Sequence, residues 1–163
     1  MNELKNSLVK LLTENARYTD SDLAVMLGVS ESEVKSALLE MEKDGTIVKY
    51  TAILNTEKTS KNVVEALIEV KVAPQKLKGF DSCAEEINNF EEVKSLYLMS
   101  GGFDLAVFVE GESLTKVAKF VSEKLSIIDG IVGCQTHFIL KKYKIEGVVT
   151  SVSDQSRRQI IQA

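Results

Sequence analysis

Few side chains in this sequence could do covalent or acid–base chemistry. His137 is the sole histidine, and it stands in an alternating apolar stretch with no nucleophile or paired carboxylate close by in sequence, so general-base catalysis lacks its partner. It reads as a structural or ligand-contacting residue. Cys83 and Cys134 also lie in apolar stretches, where a thiol packs as a small buried hydrophobe. There is no spaced His/Cys pair for zinc and no glycine loop ending in Gly-Lys-Ser/Thr; neither a metal nor a cofactor is expected. Two constellations of a binding type remain. At the turn Ser100, Gly101, Gly102, Phe103, Asp104, exposed backbone N–H groups can cradle a carboxylate, and Asp104 can pair with an ammonium. The same residues equally make a tight hairpin in which Asp104 bonds neighbouring backbone. The second constellation is Ser32, Lys35, Ser36, Leu39 and Lys43 at helical spacing, with Lys49 beyond. Such a face contacts an anionic polymer or is simply solvated.

The elements that position the second constellation are legible in the first fifty residues. Leu4, Leu8, Leu11 and Leu12 share one helical face, with Asn2 placed to cap and an end near Asn15. Thr19 to Asp22 is a capping box before Leu23, Ala24 and Leu27, and Gly28 is suited to a positive φ that stops a short helix. Ser30 to Glu33 is a second box, opening a third helix with Val34, Leu38 and Met41 inward, ended by Asp44 and Gly45. Two helices joined so tightly need a small residue at their crossing and an apolar one to lock it. Ala24, Gly28 and Val34 meet that need, the logic of a helix-turn-helix. Without a DNA role, the same pattern is a plain helical hairpin. Thr46 to Leu54, β-branched and aromatic, predicts a short strand pair flanking the third helix as a wing.

From about Val63 the period becomes two. Val64, Ala66, Ile68, Val70 and Val72 face one way, with Glu65, Glu69 and Lys71 opposite, and Pro74 ends the strand. A helix with Phe80, Cys83, Ala84 and Ile87 inward follows, then strands Val93 to Met99 and Asp104 to Glu110 joined at the glycines. Ser113 caps a helix with Leu114, Val117, Ala118, Val121 and Leu125 inward. A last strand, Val132 to Lys142, alternates through Val132, Cys134, Thr136, Phe138 and Leu140. The order β-α-β-β-α-β is the ferredoxin-like split βαβ, with both helices on one sheet face. Leu67, Tyr97, Phe108 and Ile139 fall on the other face, where a second subunit is expected to pack.

The segment "DLAVMLGVSESEVKSALLEMEKDGTIVKYTAILN" resembles the N-terminal module of the Lrp/AsnC (leucine-responsive, or feast/famine) regulators. "LMSGGFDLAVFVEG" and "CQTHFILKKYK" resemble that family's effector-binding domain. The resemblance covers residues 1 to about 142 and implies an α+β chain: a winged helix-turn-helix followed by a ferredoxin-like effector and oligomerisation domain. It implies a transcriptional regulator rather than an enzyme, with double-stranded operator DNA as partner. Ser32, Lys35, Ser36, Leu39, Lys43 and Lys49 would be its DNA contacts. It further implies an amino-acid effector where dimers meet, at Ser100, Gly101, Gly102, Phe103 and Asp104 with Thr136 and His137, in homodimers or in tetramers and octamers of dimers. Domain limits are expected at 1–54, a linker at 55–62, 63–142, and a partly disordered tail at 143–163. Some siroheme decarboxylases resemble the same two-module layout, but residues 63 to 142 contain no arginine to hold an anionic tetrapyrrole. A sensor or assembly protein that no longer reads DNA is a third reading.

Charge bears on the DNA role. The 163 residues carry a formal net charge of −4, and residues 1–62 have 8 Lys and Arg against 10 Asp and Glu. Strong nonspecific binding to phosphate is therefore not expected. The hydrophobic fraction of 44% suffices for a core. Charges interrupt every apolar run before a bilayer-spanning length, and the first residues lack a basic-then-apolar leader, so a soluble cytoplasmic protein is expected.

Overall fold

A computed structural model describes residues 2–59, 63–73 and 79–150. The chain divides into two compact units, Met1–Ile53 and Leu54–Ala163.

The first unit is three helices, α1 (Glu3–Glu14), α2 (Asp20–Leu27) and α3 (Glu31–Lys43). Their limits are set by side chains that satisfy the free N–H groups of each first turn. The Asn2 side chain accepts from the Lys5 N–H, and both capping boxes form, Thr19 with Asp22 and Ser30 with Glu33. Gly28 stops α2 with φ +66°, a conformation in which a β-carbon is strained. Leu8, Leu23, Ala24, Val34, Ala37 and Met41 form the core. Ala37 belongs to the inward face in addition to Val34 and Met41, while Leu38 is half-buried.

The strand pair expected in the wing is a correction. No strand ladder forms between Thr46 and Leu54; the segment leaves α3 through an Ile47 N–H bond to the Met41 carbonyl (2.9 Å). Val48 is 90% exposed. β-Branched composition favours extended backbone, but a ladder needs a second strand to bond, and none lies beside this one among the described residues.

The second unit builds an antiparallel sheet from β1 (Val64–Val72), β2 (Val93–Leu98), β3 (Leu105–Gly111) and β4 (Ile131–Phe138), in the order β2-β3-β1-β4. Helices α4 (Gly79–Asn88) and α5 (Leu114–Phe120) make the two crossovers, each passing over one strand, as the split βαβ requires. The core between helices and sheet holds Ala66, Ile68 and Val70 of β1, Cys83 and Ile87 of α4, Leu105, Val107 and Val109 of β3, and Val117, Phe120, Leu125 and Ile128.

Two inward faces depart from expectation. In α5, Phe120 is buried while Leu114 (56% exposed) and Ala118 face out. The helix widens into a π turn, Val121–Leu125, whose extra residue shifts the inward register. In β4, the β1 pairing slips between Lys71 and Val72: Lys71 sits opposite Gly133, but Val72 opposite Ile131. Val132 is left over and 67% exposed, and Ile131 packs inward in its place, the outcome of a β-bulge. Leu140, 96% exposed, lies beyond the strand.

Residues 143–150 are a further correction. They are not irregular: β5 (Lys144–Ile145) pairs with β6 (Val148–Val149). The Asn55 amide donates to the Thr150 carbonyl (2.8 Å), tying this hairpin to the start of the unit. Pro74 and residues 151–163 lie outside the described residues.

Candidate nucleic-acid interface and effector site

At about 100° per residue, Ser32, Ser36, Leu39 and Lys43 fall on the side of α3 opposite Val34, Ala37 and Met41, with Lys35 beside them. All five are exposed, as is Lys49 in the segment that follows. The structure thus brings the α3 residues onto one face. The four glutamates of α3 lie elsewhere, Glu31 and Glu42 along one edge and Glu33 and Glu40 along the other. Three are engaged within the unit. Glu33 accepts from the Ser30 N–H (2.9 Å) and the Ser30 hydroxyl (2.6 Å), and the hydroxyl bond is the larger reason its carboxyl lies below the usual range. Glu40 pairs with Lys5 (3.0 Å). Glu42 accepts from the Tyr50 hydroxyl (3.0 Å). Burial first, and then this carboxylate, push the Tyr50 hydroxyl up. The acidity of the helix is therefore flanking acidity, and the outward face carries hydroxyls, lysines and one leucine.

In the second unit, the turn joins β2 to β3 and is closed by a bond from the Met99 N–H to the Asp104 carbonyl (2.7 Å). Ser100, Gly101 and Gly102 are exposed, Phe103 and Asp104 half-buried. Gly101 and Gly102 differ in φ from Gly28, Gly45, Gly130 and Gly147. Neither has a positive φ, and a β-carbon on either would meet nothing within 4 Å. The hairpin itself does not demand two glycines, whose bare backbone stands open. The Asp104 Oδ2 accepts from the Val72 N–H (2.8 Å), and the Asp104 N–H donates to the Val70 carbonyl (3.0 Å). Asp104 thus anchors β1 just where the bulge breaks its ladder.

Thr136 and His137 are not brought to this turn in one chain. They pair with Ile68 and Leu67, roughly 15 Å along β1 from the Asp104 anchor at about 3.3 Å per residue. Adjacent strand residues also point to opposite faces: Thr136 lies on the helix side with Ile68, and His137 on the other, 3.2 Å from Glu69. What does adjoin the turn is a shallow cavity of about 170 Å³ lined by Glu69, Lys71, Phe103, Gly133, Cys134 and Gln135. Lys71 and Glu69 were legible only as the polar side of β1; the bulge that opens Gly133 beside them carries no sequence signal. Burial raises the Cys134 thiol above its ordinary value, and the Cys83 thiol donates to the Asp129 carbonyl (3.4 Å). Both behave as packing groups. The expected outer face is partly open: Tyr97 is 53% exposed and stacks edge-on against Phe108 (5.9 Å), with Leu67 opposite Phe108.

A helix-turn-helix with a lysine-bearing outer face and a split βαβ sheet are carried by the same chain, a two-module layout. Family comparison gives the same division. Residues 1–48 match the winged helix-turn-helix DNA-binding family, and residues 65–149 match the Lrp/AsnC ligand binding domain. The chain belongs to the Lrp/AsnC family and is a DNA-binding transcriptional regulator of that type. The uncharacterized HTH-type transcriptional regulator YugG of Bacillus subtilis is 41% identical over 162 residues, covering 99% of this chain and 98% of that one. The HTH-type transcriptional regulator LrpA of Pyrococcus horikoshii is 30% identical over 144 residues, 88% of this chain and 99% of that one. These relatives are named as regulators, which sets the enzymatic reading aside. Among solved structures, E. coli AsnC superposes with a TM-score of 0.67 at 20% identity over 89% of this chain and 95% of that one. The Neisseria meningitidis regulator NMB0573, solved as an L-Met complex, gives 0.67 at 24% identity over 94% and 96%. At such identities these two speak for the fold. Among the described residues no helix is long and apolar enough to cross a membrane.

Proposed function

We propose that this regulator binds duplex operator DNA in the cytoplasm as a homodimer, or as tetramers or octamers of dimers, and that an amino acid bound between dimers changes its occupancy or assembly. Ser32, Lys35, Ser36, Leu39, Lys43 and Lys49 make the DNA contacts. Ser100, Gly101, Gly102, Phe103 and Asp104 receive the effector, with Thr136 and His137 supplied by a neighbouring protomer, since in one chain they stand apart from the turn. The observation that carries the effector site is the pair of glycines that the hairpin does not need. Bare N–H groups suit a carboxylate, and the neighbouring cavity is lined by both Lys71 and Glu69, a cation and an anion that suit a zwitterion. The L-Met in the Neisseria structure makes amino acids the first class to try. A second subunit on Leu67, Tyr97, Phe108 and Ile139 would cover the open sheet face and double the reading helix. A ligand acts here only through its differential affinity for two assembly states.

The test is a heat-stabilisation screen of the full chain against the twenty amino acids, followed by titration of the responding one into Asp104→Asn and Gly102→Val. Asparagine keeps the acceptor that holds Val72 but loses the charge. Both variants should weaken the ligand at least tenfold and alter the oligomer distribution; unchanged titration and assembly would remove the site. For DNA, gel shifts on the region upstream of its own reading frame should weaken as salt rises, and Lys35→Glu should bind less. Binding indifferent to salt and to that substitution would reject α3 as the contact.

A further inference from the structure

The outward face of α3 is informative for what it lacks. It has no Asn, Gln or Arg, whose planar ends match adenine or guanine edges bidentately; lysine can also bond guanine, with less geometric constraint. Ser32 and Ser36 can hydrogen-bond any base and discriminate little. Lys35 and Lys43 act as flexible point charges, suited to phosphate. The apolar side chain on this face is Leu39, which is 57% exposed. Its neighbours one turn away on α3, Lys35, Ser36, Glu42 and Lys43, are polar and exposed, so it belongs to no apolar stripe of that helix. In the major groove a leucine finds one apolar partner, the C5 methyl of thymine.

We infer that Leu39 is a specificity-determining residue that packs on a thymine methyl, so that the operator is selected at that step by the methyl and not by hydrogen bonds. The inference rests on the reading of α3 as the helix that enters the groove. Lysines on the same face hold the helix to the backbone. Discrimination at the step is modest, because burying one carbon is worth roughly fourfold in affinity. It is also strictly local.

The experiment selects duplexes from a randomised library with the full chain, then replaces each thymidine of a selected duplex by deoxyuridine. That exchange removes the methyl and keeps the hydrogen-bonding edge. One step, with its symmetry mate where the site is palindromic, should lose roughly fourfold with the wild-type protein. Leu39→Ala should bind that much more weakly and be indifferent to deoxyuridine there, with unchanged melting temperature and salt dependence. Leu39→Gln should shift the selected base at the step toward adenine. The inference is overturned if no thymidine is sensitive to the exchange, if Leu39→Ala stays equally sensitive, or if no sequence is enriched. It also fails if Leu39 serves a protein partner, seen as Leu39→Ala changing oligomer size while the methyl response persists. Failure of the underlying reading looks different: Lys35→Glu then binds as well as wild type at every salt concentration.

Discussion

The two units are held together by different chemistry. The first has a core cluster of six buried side chains, and its helix limits depend on polar bonds at Asn2, Thr19, Asp22, Ser30 and Glu33. The second has a core cluster of thirteen, so its shape is set by burial across a sheet. A small domain buries too little surface to be stable by packing alone, and caps at about 1 kcal/mol each are a large share of what it has. The reading module is therefore the more easily perturbed, and its polar groups are structural before they are functional.

Core truncations should give the largest effects and show whether the units are independent. Leu8→Ala and Ile68→Ala remove fully buried side chains, and each should cost about 2–5 kcal/mol. Calorimetry of the full chain should show Leu8→Ala lowering one transition and Ile68→Ala the other; if either lowers both, the units unfold together. Next comes Asp104→Ala, which orphans the Val72 N–H and should cost about 1–3 kcal/mol in the second unit alone. An unchanged melt would make the anchor dispensable. Thr19→Ala and Ser30→Ala should each cost about 1 kcal/mol in the first unit, read as loss of helical circular dichroism at lower temperature.

The smallest effect is in pH. Hydrogen bonds from Thr19, Ser30 and Thr46 hold the Asp22, Glu33 and Asp44 carboxyls below their ordinary values, while in the second unit Lys124 does so for Glu92. A depressed carboxyl contributes stability above its unfolded pKa and loses it as pH falls through the folded one. Acidification below the ordinary carboxylate range should thus lower the first transition more than the second. The reverse order would refute the contrast between the units.

What was legible in the sequence follows the same division. The caps are local, three residues from donor to acceptor, so Thr19, Ser30 and Gly28 could be read directly. The βαββαβ order was legible because long alternating and helical periods mark it. The strand pair of Thr46 to Leu54 is not formed because a ladder depends on a partner that composition does not name. Leu114 and Ala118 face outward against the helical period because a π turn breaks it without leaving a mark in the sequence. At the candidate effector site the turn was legible and its surroundings were not. Thr136 and His137 are neighbours in sequence but on opposite faces, and Lys71 gains its place beside Phe103 and Gly133 only through pairing.

The slip between Lys71 and Val72 has a consequence for how this chain could change length. Val132 has no partner across the ladder, so removing it would leave Gly133 opposite Lys71 and Ile131 opposite Val72, the pairing already present. Everywhere else in β4, deleting a residue would exchange the faces of the strand. Val132 is thus the position where β4 should tolerate shortening by one, and where an alignment with a relative could carry a gap without any change in what the sheet buries.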